Sequence, residues 1–108
     1  MNRQKMNLPR QISVHVQKGE SGALIATLEK YNSVTEANNL IELFFNVNDL
    51  IYTIFDVSKK DQESIQFIPS KEAQVEMLKI AESPLKRVEK QFEVNRFIRD
   101  KNPGIATL

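Results

Sequence analysis

The feature that most constrains the fold is an apolar segment in the first half of the chain, residues 40–55 (LIELFFNVNDLIYTIF). Apolar side chains recur in and just before it at the spacing of an amphipathic helix. They are Ala37, Leu40, Ile41, Phe44, Val47, Ile51 and Ile54, opposite a polar stripe of Asn39, Glu42, Asn46, Asp49, Thr53 and Asp56. Four more apolar side chains widen this sector: Leu43, Phe45, Leu50 and Phe55. The helix is therefore expected to bury two sides, one on its own sheet and one on a second copy, the C-terminal helices or a partner protein.

A capping motif predicts where this helix begins. Residues 33–36 (SVTE) place a serine three positions before a glutamate. In a capping box these two side chains satisfy free amides at the start of a helix. We therefore expect the helix to begin at Ser33.

Two strands are predicted ahead of the helix. Apolar and polar residues alternate over residues 11–18 (QISVHVQK), the two-residue period of a half-buried strand. Residues 19–22 (GESG) supply a loop of small residues, and residues 23–29 (ALIATLE) resume as a second strand. An antiparallel hairpin is the expected pairing.

The second half of the chain is predicted to contain one strand and two helices. Residues 64–68 (SIQFI) favour a third short strand, and the serine two positions later favours a cap for a helix over residues 71–82. Ser83 and Pro84 mark a break and a restart. A final helix is expected over residues 85–101, since Asn-Pro-Gly follows it.

The predicted order is therefore β-β-α-β-α-α, an α+β fold. A small antiparallel sheet packs on one long amphipathic helix, and two C-terminal helices follow. The length of 108 residues fits one domain. Residues 1–69 are assigned to an α+β domain and residues 70–108 to a helical extension of it.

Composition argues against several kinds of chemistry. The chain has no cysteine, which excludes disulfides and cysteine-held zinc and suits a reducing compartment. His15, the only histidine, lies on the polar face of the first strand without an acidic neighbour in sequence. No phosphate-binding loop, Ser-His-Asp set or HExxH motif is present. We expect no enzyme, no metal and no cofactor.

Membrane insertion and export are not predicted. The apolar segment is interrupted by Glu42, Asn46, Asn48 and Asp49, well short of the ~20 apolar residues of a membrane span. The basic N-terminal residues lack the apolar core of a secretory signal. We expect a cytoplasmic protein.

The hairpin and the helix together carry a family resemblance over residues 12–57. The residues that carry it are Gly22 and Ala26 around the second strand, residues 35–37 (TEA) at the helix start, and Leu40 and Leu43 after them. This stretch resembles the HicB-like antitoxin family, particularly its short uncharacterised members. It covers about half of the chain.

The resemblance implies a non-catalytic module that forms dimers and binds a small toxin protein. We therefore expect a homo-oligomer, a dimer or higher, and a small basic toxin-like partner. The apolar side chains that exceed the needs of one sheet are the candidate partner or dimer interface: Leu43, Phe45, Leu50 and Phe55.

Such antitoxins often carry a C-terminal DNA-binding element. Residues 64–101 have the predicted strand-helix-turn-helix order of a ribbon-helix-helix. Within them, residues 85–101 hold six basic side chains against three acidic ones. The candidate nucleic-acid contacts are Lys86, Arg87, Lys90 and Arg96. The alternative is that these helices only cover the sheet or the first helix, since interleaved charges on a helix usually face solvent.

Two functions stay open at this point. The first is a protein-binding regulator of the antitoxin type, which predicts a small basic partner. The second is a stand-alone structural or ligand-binding α+β homodimer, which predicts stable self-association without such a partner.

Overall fold

The protein forms a five-stranded antiparallel sheet with one buried and one exposed face. The computed structural model describes residues 8–85 and 88–99. The strands are β1 (Gln11–Lys18), β2 (Leu24–Leu28), β3 (Ser33–Ala37), β4 (Ile65–Pro69) and β5 (Glu89–Ile98), in the spatial order β3-β2-β1-β5-β4. The helices are α1 (Leu40–Ile54), α2 (Lys59–Gln62) and α3 (Lys71–Glu82), and a 3-10 turn covers Glu29–Tyr31. The predicted α+β class is confirmed.

The N-terminal hairpin is confirmed. β1 and β2 pair antiparallel, with Val16 opposite Ala26 and Lys18 opposite Leu24. The connecting loop contains Gly22 at a φ of 96°, a backbone conformation that favours glycine. The alternating sequence of β1 places its apolar side chains on the buried face and its polar ones on the exposed face.

The predicted start of the long helix at Ser33 is wrong. Residues 33–37 form β3, which pairs with β2 and places Thr35 opposite Ala26. The β-branched pair Val34 and Thr35 favours a strand, and this preference prevails over the capping motif. The helix begins later with a different capping box, in which Asn39 Oδ1 accepts the Glu42 amide at 2.9 Å and Glu42 Oε1 accepts the Asn38 amide at 2.7 Å.

The predicted final helix over residues 85–101 is also wrong. Residues 89–98 form β5, which lies between β1 and β4 in the sheet. Phe92 and Val94 are buried and alternate with exposed polar residues, a two-residue period that indicates a strand. The element order is therefore β-β-β-α-α-β-α-β, and the chain after residue 69 supplies a central strand of the sheet.

The remaining helix of the second half is confirmed. Ser70 Oγ accepts the Ala73 amide at 3.0 Å and caps α3, as the sequence predicts. Met77 and Ile80 of α3 are buried. Lys18 Nζ donates to the Ala81 carbonyl at 3.1 Å, so β1 helps to satisfy the last carbonyls of this helix.

The core lies between the buried face of the sheet and α1 and α3. Leu43, Val47 and Ile51 of α1 point into it. The buried side chains contributed by the sheet are Ile12, Val14, Val16, Leu24, Ala26, Leu28, Ala37, Phe67, Phe92 and Val94. Among the residues that the structure describes, no helix has the length and apolar character needed to cross a membrane.

Candidate functional site

The most unusual polar residue of the core is Asn48, the one buried polar side chain in the described part of the chain. It lies on α1 and is 8% exposed. Its Oδ1 accepts the Phe67 amide at 2.7 Å, and its Nδ2 donates to the Phe67 carbonyl at 3.1 Å and to the Phe44 carbonyl at 3.0 Å. Asn48 therefore bonds the backbone of β4 along its outer edge.

Two other side chains complete this arrangement. Tyr52, one helical turn after Asn48, donates its hydroxyl to the Ile65 carbonyl at 2.5 Å. Gln74 Nε2 of α3 donates to the Pro69 carbonyl at 3.0 Å, and Pro69 has no amide hydrogen to satisfy. Side chains of α1 and α3 thus occupy most of the hydrogen-bonding groups on the outer edge of β4.

The environment of Tyr52 favours its neutral form. Burial raises the pKa of the Tyr52 hydroxyl above its ordinary value, the charge of Asp49 raises it further, and Arg99 acts in the opposite direction. A neutral hydroxyl keeps the hydrogen that it donates to Ile65.

A cleft of about 810 Å³ lies over this edge, between α1, α2, β4 and α3; it is hereafter the β4 cleft. Its apolar lining consists of Ile41, Phe44, Phe45, Ile65, Phe67, Ile68 and Pro69. Asn48, Tyr52 and Gln74 also line it, but their hydrogen bonds are committed to backbone groups. The cleft therefore offers mainly apolar contact.

Exposed apolar side chains extend this surface beyond the cleft. Phe45 is 65% exposed and Ile41 is 69% exposed, although both are large and apolar. A second, smaller depression of about 470 Å³ lies between α1 and α3 and includes Val75 and Leu78. Phe44 borders both depressions. Together they make one apolar surface across α1 and α3.

The four predicted interface residues occupy different environments. Leu43 is 0% exposed and belongs to the core of the single chain. Leu50 and Phe55 are partly buried against that core, and Phe55 packs edge-on against Tyr31 with ring centroids 5.2 Å apart. Phe45 alone of the four is exposed and lines the β4 cleft.

The predicted basic helical face does not form, because its residues belong to β5 where they are described. Lys86 and Arg87 lie outside the described residues. Lys90 Nζ lies 3.4 Å from Glu76 Oε1, and Lys79 and Lys90 together lower the pKa of the Glu76 carboxyl. Arg96 Nη1 donates to the Leu8 carbonyl at 2.8 Å. The helix-turn-helix part of the predicted ribbon-helix-helix is thus replaced by a helix and a strand, which removes the structural basis for that DNA-binding mode.

The opposite edge of the sheet, formed by β3, differs from β4. Ladder bonds alternate along an antiparallel strand, and the Glu36 carbonyl accepts Asn46 Nδ2 of α1 at 3.0 Å. Val34 and Glu36 therefore direct their backbone groups away from β2. Within the described ranges, no group hydrogen-bonds to the amide or carbonyl of Val34 or to the amide of Glu36.

The exposed face of the sheet carries polar contacts between β1 and β5. His15 Nε2 lies 2.7 Å from Glu89 Oε1, and Gln11 Nε2 donates to Asn95 Oδ1 at 2.8 Å. The sequence placed His15 on this face but did not pair it, because β5 was expected to be a helix. No cluster of three or more metal-ligating side chains occurs among the described residues.

Sequence reasoning missed the roles of Asn48 and Tyr52. Both are polar residues four positions apart on α1, outside the polar stripe described for this segment. Comparison with protein-family models, with curated proteins and with solved structures found no match. A functional assignment therefore rests on the geometry of this chain.

Proposed function

We propose that the protein is a non-catalytic protein-binding module, as in the HicB-like antitoxins that its sequence resembles, and that the β4 cleft holds an amphipathic helix of a small protein partner. The exposure of Phe45 and Ile41 at the cleft carries the proposal. Large apolar side chains grouped around a concave surface are typical of protein-binding sites.

A helix fits this cleft better than a strand does. Strand addition requires free backbone amides and carbonyls on the edge of a sheet. On β4 these groups are held by Asn48, Tyr52 and Gln74. A helix forms its backbone hydrogen bonds internally, so it binds through the side chains of its apolar face.

The borders of the cleft suit the polar side of such a helix. Asp49, Lys59 and Arg99 all line it, so charges of both signs surround the apolar walls. Charges at the rim of an interface mainly fix orientation and the rate of association. The proposed partner therefore presents apolar residues at helical spacing, flanked by charged residues of both signs.

The experiment compares two variants of equal chemistry at different places. Phe45→Asp places a charge in the cleft. Leu85→Asp places the same charge at a position that is 67% exposed in the wild-type protein and does not line the cleft. Each tagged protein is captured from its native cells, and a photo-crosslinking residue at position 45 of the wild-type chain identifies the bound segment. Light scattering gives the mass of each eluate.

We expect one small protein to be recovered in stoichiometric amount with the wild-type chain and with Leu85→Asp, and to be lost with Phe45→Asp. The crosslinked segment should form an amphipathic helix. Recovery of the same protein with Phe45→Asp would overturn the proposal. Recovery of a homodimer that Phe45→Asp dissociates would replace it with self-association through this surface.

A further inference from the structure

The free edge of β3 has the geometry that strand addition requires. Three backbone groups on it, the amide and carbonyl of Val34 and the amide of Glu36, have no hydrogen-bonding partner among the described residues. The Glu36 carbonyl uses one lone pair on Asn46 and keeps a second. Val34, the second of the five residues of β3, is 60% exposed.

Most of the usual protections of an edge strand are missing from β3. Proteins block open edges with proline, lysine, a bulge or a covering element. β3 reads SVTEA, without proline or lysine, and its pairing with β2 runs in continuous register over all five residues. Its one charged side chain is Glu36.

The surrounding part of the chain is strongly acidic. Between residues 19 and 58 there are six carboxylates and one basic side chain, Lys30. The whole chain has a net charge of +1, so acidic residues are concentrated in the part that forms β2, β3 and α1. A segment that binds along β3 is attracted if it is basic and repelled if it is acidic.

We propose that the edge of β3 is a second recognition site, at which an extended basic segment of a partner protein adds a sixth strand to the sheet. The added strand runs antiparallel to β3, the arrangement of every other pair in this sheet. Its backbone exchanges hydrogen bonds with Val34 and Glu36, and a lysine or arginine lies opposite Glu36. This site is separate from the β4 cleft and stands on a different observation.

A second copy of the chain fits this edge less well. If β3 of one copy paired with β3 of a second copy across a two-fold axis, the acidic residues of both copies would meet at the interface. With Val34 of one copy opposite Glu36 of the other, the two Glu36 side chains would lie diagonally across from each other, within reach of a repulsive interaction. A basic strand removes this repulsion and gains attraction instead.

The register defines a probe. In an antiparallel arrangement, a peptide with a central Lys-Thr-Val places lysine opposite Glu36, threonine opposite Thr35 and valine opposite Val34. The comparison peptide has Glu-Thr-Val at these positions. Each carries a dye, so that fluorescence anisotropy gives the Kd for the intact protein, and amide chemical shifts identify the residues contacted.

Two variants test the backbone and the charge separately. Val34→Pro removes the free amide, and proline is tolerated where an edge amide faces outward; Val34→Thr is the matched control that keeps the amide. Glu36→Lys reverses the charge opposite the peptide lysine. Circular dichroism of each variant confirms that it is folded.

We expect the lysine peptide to bind at least about tenfold more tightly than the glutamate peptide, with amide shifts at Val34 and Glu36. Val34→Pro should weaken binding by about tenfold or more, and Val34→Thr should not. Glu36→Lys should invert the preference between the two peptides. Phe45→Ser, which adds no charge to the β4 cleft, should leave peptide binding unchanged, and this result separates failure of the β3 site from failure of the cleft.

Three outcomes would overturn this site. The first is that the amide chemical shifts of Val34 and Glu36 do not change when the lysine peptide is added at millimolar concentration. The second is equal affinity for both peptides. The third is a concentration-dependent dimer that Val34→Pro dissociates, which would assign the edge to a second copy.

Discussion

The two edges of the sheet have opposite chemistry, although both strands are five residues long and both adjoin α1. On β4, side chains bond the outer backbone groups: Asn48 bonds Phe67, Tyr52 bonds Ile65 and Gln74 bonds Pro69. On β3, one such bond occurs among the described residues, from Asn46 to Glu36. One edge is thus closed to another strand and the other is open to one.

This difference shows how one helix serves two purposes. Asn46 and Asn48 project from opposite flanks of α1, so the curled sheet brings both of its edges to this helix. The polar side chains of α1 that close the β4 edge lie on the same flank of the helix as Ile41 and Phe45. The cleft therefore offers apolar side chains to a partner, whereas β3 offers backbone groups.

Hydrogen exchange gives the largest contrast between the edges without any mutation. The Phe67 amide is bonded to a buried side chain and should exchange only when β4 separates from α1. The Val34 amide has no described partner and should exchange near the rate of an unfolded chain. We expect the two rates, measured by NMR and corrected for sequence, to differ about a thousandfold or more.

Similar protection at Val34 and Phe67 would contradict the open edge. Repeating the exchange measurement at several protein concentrations distinguishes two causes of protection at Val34. Protection of Val34 that rises with concentration indicates self-pairing, and constant protection indicates a cover within the chain.

Replacing the two asparagines of α1 by alanine compares the edges energetically. Asn48→Ala leaves the amide and carbonyl of Phe67 buried without partners, and we expect a loss of about 2–4 kcal/mol in the free energy of unfolding. Asn46→Ala frees one exposed carbonyl and should cost less than about 1 kcal/mol. Both changes gain the same helix propensity, so propensity does not contribute to the difference measured by urea unfolding. Equal losses of stability would contradict the difference between the two edges.

The sequence predicted correctly those elements whose local preferences agree with their tertiary positions. β1 has a strict two-residue period, and β2 follows a loop of small residues. Ser70 caps α3 because its side chain and the helix after it are contiguous in the chain. Here the local pattern and the tertiary contacts favour the same structure.

Prediction failed where two patterns overlapped. Residues 33–36 match a capping box, but Val34 and Thr35 also favour a strand, and pairing with β2 adds to that preference. In β5, Phe92 and Val94 alternate at the strand period, but Leu85, Val88 and Phe92 also fit a helical spacing. Contacts with β1 and β4, which are distant in sequence, select the strand.

The candidate sites were only partly predictable for the same reason. Phe45 was identified from the width of the apolar sector of α1, and it does line the cleft. The helix pattern could not separate it from Leu43, which is buried. The bonds of Asn48 and Tyr52 to β4 depend on a strand that begins more than ten residues later, so no local pattern reports them.

Tyr52 allows the closed edge to be tested by pH. Tyr52→Phe removes the bond to the Ile65 carbonyl and should cost about 1 kcal/mol at neutral pH. The pKa of this hydroxyl is raised in the folded state, so the unfolded chain loses its proton first. The wild-type protein should therefore lose stability as the pH rises through about 10 toward the folded pKa, and Tyr52→Phe should lose less over that window.

Urea unfolding of the wild-type protein and of Tyr52→Phe at a series of alkaline pH values measures this effect. An identical pH dependence in wild-type protein and Tyr52→Phe would mean that the hydroxyl does not close this edge.

The smallest effect is expected at the open edge itself. Val34→Pro removes an amide hydrogen that bonds to nothing in the described chain, and its fixed φ suits an edge strand. We expect its free energy of unfolding to stay within about 1 kcal/mol of the wild-type value. Thr35→Pro, one residue along, removes an amide that pairs with Ala26 of β2 and should cost at least about 2 kcal/mol. If both variants lose the same stability, the Val34 amide has a native partner and β3 is as closed as β4; if they differ as expected, the Val34 amide is free in the folded chain.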